Sequence, residues 1–151
     1  MRVLGISVDP AGGNPKVHIV LIDLGADGPK VDDTFTINTT ETEPGAQAVN
    51  LARLLQGRLP GLTFNSAAIK TAGAPPVARR NRATFQRAHA EGALLFVLHE
   101  VTDVRLEAKD AQGLATLAGM KKTDLEAAVE ALEGLPRKYR DAAYAALALQ
   151  R

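Results

Sequence analysis

The chain contains no cysteine and no tryptophan. The first absence rules out disulfides and thiolate metal centres. The second, with aromatics at only 4% of residues, leaves a core of small and branched aliphatics, which suits helices lying close on a sheet. Histidine is sparse, and His18, His89 and His99 share no ligand spacing, so a histidine-based zinc site is not expected. No sign of charge dominates: 18 Lys and Arg stand against 17 Asp and Glu. Any polyanion must therefore be held by local clustering. No window approaches the roughly 18 consecutive apolar residues of a membrane span. The first residues enter a strand without the apolar region of a secretory leader, so a cytoplasmic, non-membrane location is expected.

What is present is one domain's worth of chain: 151 residues, 46% apolar and 23% charged. Residues 1–151 read as a single domain, without internal repeats or low-complexity tracts. Residues 3–8 are an apolar, β-branched run, followed by the turn signal Pro10-Ala11-Gly12-Gly13-Asn14-Pro15. Strands are expected at 17–24 and, from polar–apolar alternation, at 34–39. Three strands joined by short turns make an antiparallel meander.

Residues 44–58 have helical spacing, ending at Gly57, Pro60 and Gly61. A fourth strand is expected over 62–71; reached through a helix, it should run parallel to the first. Residues 79–99 form the longest helix, with Phe85, Ala88, Gly92, Leu95 and Phe96 as its inward stripe. A fifth strand follows at 101–108, then a short helix or loop over 110–120. Thr123-Asp124-Leu125-Glu126 reads as a capping box opening another helix. That helix ends at Gly134-Leu135-Pro136, before a last Ala/Leu-rich helix at 141–151. The order β-β-β-α-β-α-β-α-α predicts an α/β fold with a five-stranded mixed sheet and helices on its faces.

In that topology, Asp9 at the end of the first strand and Asp141 at the start of the last helix should meet near the end of the fourth strand. A strand-borne carboxylate facing one from a helix is how many nucleases assemble a divalent-metal site. Taken separately, Asp9 before Pro10 is an ordinary turn former and Asp141 an ordinary helix-start residue. Their value lies in their convergence.

The chain resembles the ribonuclease H-like superfamily and, within it, the RuvC-type Holliday junction resolvases, over nearly its whole length. Gly5-Ile6-Ser7-Val8-Asp9-Pro10 is similar to the family's strand-one motif with the acid displaced by two residues. That shift preserves the strand face, although Ser7 occupies the strict position. Ala67-Ala68-Ile69-Lys70 stands where the family has an apolar strand ending in a metal-binding glutamate, so Lys70 replaces that acid. Asp141-Ala142-Ala143-Tyr144 resembles the C-terminal helix with two acids three residues apart; Asp141 matches the first and Tyr144 replaces the second. Ser7-Val8-Asp9-Pro10-Ala11-Gly12-Gly13 also resembles the nuclease domain of phage terminases.

The resemblance implies a Mg²⁺-dependent, structure-selective endonuclease of recombination or repair that works as a homodimer on branched or duplex DNA. Asp9 and Asp141 would be the metal-site acids, with Lys70 beside them in the catalytic site. Such chemistry uses two ions about 3.5–4 Å apart, and two carboxylates beside a lysine cannot neutralise them. Either the site is reduced to a Lys70 salt bridge in a protein that binds nucleic acid without cutting it, or one metal remains, with Glu100, Asp103 or Glu107 completing the set. A non-catalytic interaction module is the alternative from another class. Nucleic acid as partner is supported by two basic clusters, Arg79, Arg80, Arg82 and Arg87 on the long helix and Arg137, Lys138 and Arg140 before Asp141. Guanidinium forks suit phosphate oxygens. A solvated helix face paired with nearby acids is the competing explanation for the first cluster.

Overall fold

A computed structural model describes residues 1–73 and 81–150. Strand β1 (Arg2–Asp9) forms a hairpin with β2 (Lys16–Gly25), which pairs in turn with β3 (Gly28–Asn38). Helix α1 (Pro44–Arg58) leads to β4 (Ser66–Lys70), and α2 (Arg82–Val101) to β5 (Arg105–Lys109). Helices α3 (Ala111–Ala118), α4 (Lys122–Glu130) and α5 (Arg140–Leu147) complete the chain. The sheet order is β3-β2-β1-β4-β5, antiparallel through the hairpins and parallel from β1 to β4 to β5. This is the mixed five-stranded α/β sheet expected from the element order.

Alternation along β1 builds both faces of the core. Leu4, Ile6 and Val8 pack with Val17, Ile19, Ile69 and the inner faces of α1 and α2. Val3, on the opposite pleat, packs with Val20, Ile22, Ala68 and the Ala-rich face of α5. Gly5 shares that second pleat, and it lets α5 touch the sheet. A Cβ on Gly5 would sit 2.0 Å from the Ala142 carbonyl oxygen and 2.8 Å from the Ala146 Cβ. Small residues on both elements therefore set how close α5, and Asp141 with it, lies to β1.

Local chemistry explains most boundaries and several departures. Glu43 caps α1 by accepting from the Gly45 and Ala46 amides at 2.9 and 2.7 Å, ahead of Pro44 at the first helical position. Asn81 caps α2 through the Thr84 amide at 3.0 Å, so the helix begins at Arg82, and it continues to Val101. Its buried line is Gln86, Ala90, Leu94, Val97 and Leu98. The expected stripe lies on the other side, with Phe85 and Phe96 55% and 66% exposed. Small and branched residues at 3- and 4-residue spacing lie flatter on the sheet than the two phenylalanines would.

The stretch after β5 is a helix because Asp110 caps it through the Gly113 amide at 2.8 Å and Gly119 closes it in the left-handed conformation, φ 65°. The expected capping box at Thr123 does not form. α4 starts two residues earlier, after Lys121, which puts Thr123 inside the first turn and leaves Glu126 paired with Lys122 at 3.8 Å. β5 is likewise shorter than expected, because α2 takes up its first residue. A 3-10 turn, Arg137–Tyr139, runs into α5 at Arg140, so Asp141 lies within the helix's first turn. No helix among the described residues is long and apolar enough to cross a membrane.

Candidate functional site

The parallel strands β1, β4 and β5 end on the same side of the sheet, the position where open α/β sheets place their sites. β1 delivers Asp9 there, β4 delivers Lys70, and the antiparallel partner β2 begins there with Lys16. A cavity of about 520 Å³ opens at this edge, lined by Ser7, Asp9, His18, Arg87, Arg137, Lys138, Arg140 and Asp141 among others. Asp9 and Asp141, remote in sequence, thus border one space.

They do not share a ligand. The Asp9 carboxylate accepts from the Ala11 amide at 3.0 Å, an ordinary Asx turn, and its other oxygen lies 3.8 Å from His18 Nε2. The Asp141 carboxylate is taken by Lys70, whose Nζ approaches Oδ1 to 2.5 Å. In register, the residue opposite Lys70 is Ser7. Asp9 stands one pleat beyond, about 7 Å along the strand. Lys70 also lies 4.8 Å from the centre of the Tyr144 ring. Tyr144 is pinned by its hydroxyl, which donates to the Ala111 carbonyl at 2.8 Å, and burial pushes its pKa up from 10.0.

This donor set does not fit a pair of divalent ions. Lys70 presents an ammonium where a metal's charge would be needed, and Asp9 is engaged one pleat away. No group of three or more His, Asp or Glu side chains suited to a metal ion exists among the described residues. The three acids considered as replacements stand elsewhere. Glu100 lies in the last turn of α2 and Asp103 lines a separate cavity at the opposite end of the sheet, both before β5 begins. Glu107 on β5 is paired with Arg105 at 3.2 Å and Lys109 at 3.8 Å. Because β5 runs parallel to β4, residues ahead of it cannot reach the end where Lys70 sits.

Of the basic residues singled out in the sequence, Arg87, Arg137, Lys138 and Arg140 line the cavity. Arg87 is committed to the buried Glu91, Nε to Oε1 at 2.8 Å, and Glu91, despite that partner, is held above its ordinary pKa by burial. Arg140 lies 3.7 Å from Glu130. Arg82, exposed at the start of α2, does not line the cavity, and Arg79 and Arg80 lie outside the described residues.

His18 also lines the cavity, which strand periodicity alone did not reveal. Its ring is buried beside Ser7, with Nδ1 3.0 Å from the Thr36 hydroxyl, which donates to Tyr139 Oη at 3.1 Å. Tyr139 meets the imidazole edge-on, with ring centres 5.6 Å apart. Burial is the largest influence on His18 and lowers its pKa from 6.5; Lys138 and Lys16 act the same way, against Asp9. The hairpin register held the signal: the turn after Asp9 pairs it with Lys16 and hence Ser7 with His18.

The architecture defines a ribonuclease H-like fold. Within that class it is the fold of the RuvC-type resolvases, shown by the solved structures it matches. The structure of Thermus thermophilus RuvC aligns with a TM-score of 0.70 at 19% identity, covering 98% of this chain and 92% of that one. T. thermophilus RuvC in complex with a Holliday junction substrate aligns with a TM-score of 0.70 at 17% identity over the same shares. The yeast mitochondrial Holliday junction resolvase Ydc2 aligns with a TM-score of 0.56 at 13% identity, covering 98% of this chain and 78% of that one. No protein-family model matches the sequence, and no curated protein matches it significantly.

Proposed function

We propose that this protein binds nucleic acid, branched or duplex DNA, at the carboxyl edge of its sheet and acts in recombination or repair without cutting the strand. One observation carries the second half of that reading: the Lys70 ammonium lies 2.5 Å from Asp141 Oδ1. A unit charge 4 Å from another at an effective dielectric of 20 contributes about 4 kcal/mol. Solvent around the 59% exposed Asp141 side chain leaves the pair worth far less than that, but an entering divalent cation would still have to displace the Lys70 ammonium or sit against it. The basic lining of the same cavity supports the first half, as does the fold, since one structural neighbour holds a Holliday junction.

The reading includes a cytoplasmic location and a homodimer; Phe85 and Phe96 supply exposed apolar surface on α2 for the latter. Binding to a four-way junction and to a matched duplex, measured across a salt series in chelator and in Mg²⁺, tests it. Affinity should fall steeply with salt and should need no Mg²⁺, which can only compete with the basic side chains for the phosphates. Absent or salt-insensitive binding refutes it. Mg²⁺-dependent strand cleavage would instead establish a resolvase-type endonuclease with a site completed by other means.

A further inference from the structure

Resting on the nucleic-acid reading, we infer that the cavity between the end of β1 and the turn before α5 seats a phosphate group of the strand directly on Arg137 and Lys138, with no metal ion between. Four cationic side chains line that cavity against two carboxylates. Arg87 and Arg140 already face Glu91 and Glu130. Among the described residues, Arg137 and Lys138 have no carboxylate partner. They are the charges still available to an anion.

The backbone that carries them is fixed in advance. Both stand on the 3-10 turn that ends at Tyr139, and Tyr139 is buried, bonded through Thr36 and set edge-on against His18. The turn is therefore anchored to β2 and β3 by a side chain next in sequence to Lys138, which itself lies 5.0 Å from the Tyr139 ring centre. Cations carried on a fixed turn lose less on binding than those on a free segment do.

The two acids on the wall are each engaged, Asp9 by the Ala11 amide and Asp141 by Lys70. Repulsion of a phosphate is reduced accordingly. A volume near 520 Å³ holds a phosphate with its adjoining sugar, within the usual span for small-ligand sites of about 300–1,000 Å³. The cationic surplus that disfavours Mg²⁺ is the same feature that favours phosphate.

The test uses the full chain in chelator. Inorganic phosphate is titrated while backbone amide signals are followed, and a short duplex is bound with and without a 5′-phosphate. Saturable shifts at residues 137–141 and His18 are expected, unchanged by added Mg²⁺. Replacing Arg137→Gln and Lys138→Gln together should weaken duplex binding by about tenfold or more and flatten the log–log salt slope by about two. The charge-keeping pair Arg137→Lys and Lys138→Arg should retain most of both.

A preference for the 5′-phosphorylated duplex assigns the phosphate to a strand end; equal binding assigns it to the backbone, and either supports the inference. If DNA binds with an unchanged salt slope in the glutamine pair, or if phosphate moves no signal in the turn, the inference falls while the nucleic-acid reading stands. If phosphate binds at the turn and no DNA does, the nucleic-acid reading falls and the inference about the strand falls with it.

Discussion

Replacing Gly5 by alanine should loosen the joint that positions Asp141. The added Cβ would lie 2.0 Å from the Ala142 carbonyl oxygen, whereas non-bonded heavy atoms sit comfortably at about 3.5 Å. The obstacle is helix backbone, which cannot rotate away. α5 would have to retreat by about 1.5 Å to restore ordinary contact, and its buried side chains from Ala142 through Leu147 would retreat with it. Overpacking costs about 1–3 kcal/mol, and a rigid obstacle puts this site near or above the upper value. A loss of about 3 kcal/mol at 2–4 °C per kcal/mol lowers the melting temperature by about 6–12 °C in a chain of this size. Gly92→Ala is the matched control: nothing lies within 4 Å of a Cβ there, and the site is exposed inside α2. It should gain about 0.5–1 kcal/mol from helix propensity alone. Thermal unfolding followed by circular dichroism reads both. If Gly5→Ala melts within about 2 °C of the parent, the close docking of α5 on β1 is not what holds the helix.

Three further outcomes follow from side-chain environments. His18 is held below 6.5 chiefly by burial, so between its folded value and 6.5 the unfolded chain binds more protons. Its contribution is complete above pH 6.5 and shrinks as pH falls through that window. Urea midpoints measured from pH 7.5 down to pH 5 should drop more in the parent than in His18→Gln, and parallel curves would rule the effect out. Tyr144→Phe removes the 2.8 Å bond to the Ala111 carbonyl and should cost about 1–2 kcal/mol in the same urea assay; no loss would mean that water replaces the hydroxyl. Lys70→Met should leave the fold intact while exposing Asp141 to cations. Calorimetric titration should then detect Mg²⁺ binding stronger than in the parent, and equal heats would show that Lys70 is not the barrier.

Much of this arrangement could be read from residues alone, because the relevant signals were local. The apolar run before Asp9, the turn after it and the Ala-rich end of the chain are short-range patterns. Their combination with a helix-linked fourth strand leads to one topology. The position of Lys70 at the end of β4 followed from the same reasoning. Other features depended on competition between elements. Which face of α2 turns inward was decided by how flatly Ala90, Leu94 and Leu98 lie on the sheet, and bulk at Phe85 and Phe96 pointed the wrong way. The capping box at Thr123 was a sound local motif, overridden when the Gly119 turn ended α3 and started α4 early.

The site itself divides along the same line. Convergence of Asp9 and Asp141 on one cavity is a matter of topology, legible from element order. What each carboxylate binds there depends on register: Ser7, not Asp9, lies opposite Lys70. The His18–Thr36–Tyr139 chain joins β2, β3 and the turn before α5, so no single stretch of sequence displays it. It becomes visible only when the hairpin pairing is known.

The most direct test of the ion pair as successor to a metal site is incubation of the unmodified protein with a labelled four-way junction, in Mg²⁺ and in chelator, with strand integrity and affinity read together. An intact junction in both buffers, bound in chelator and gaining no affinity from Mg²⁺, is the expected result. Strand scission that appears with Mg²⁺ and vanishes with chelator would contradict it.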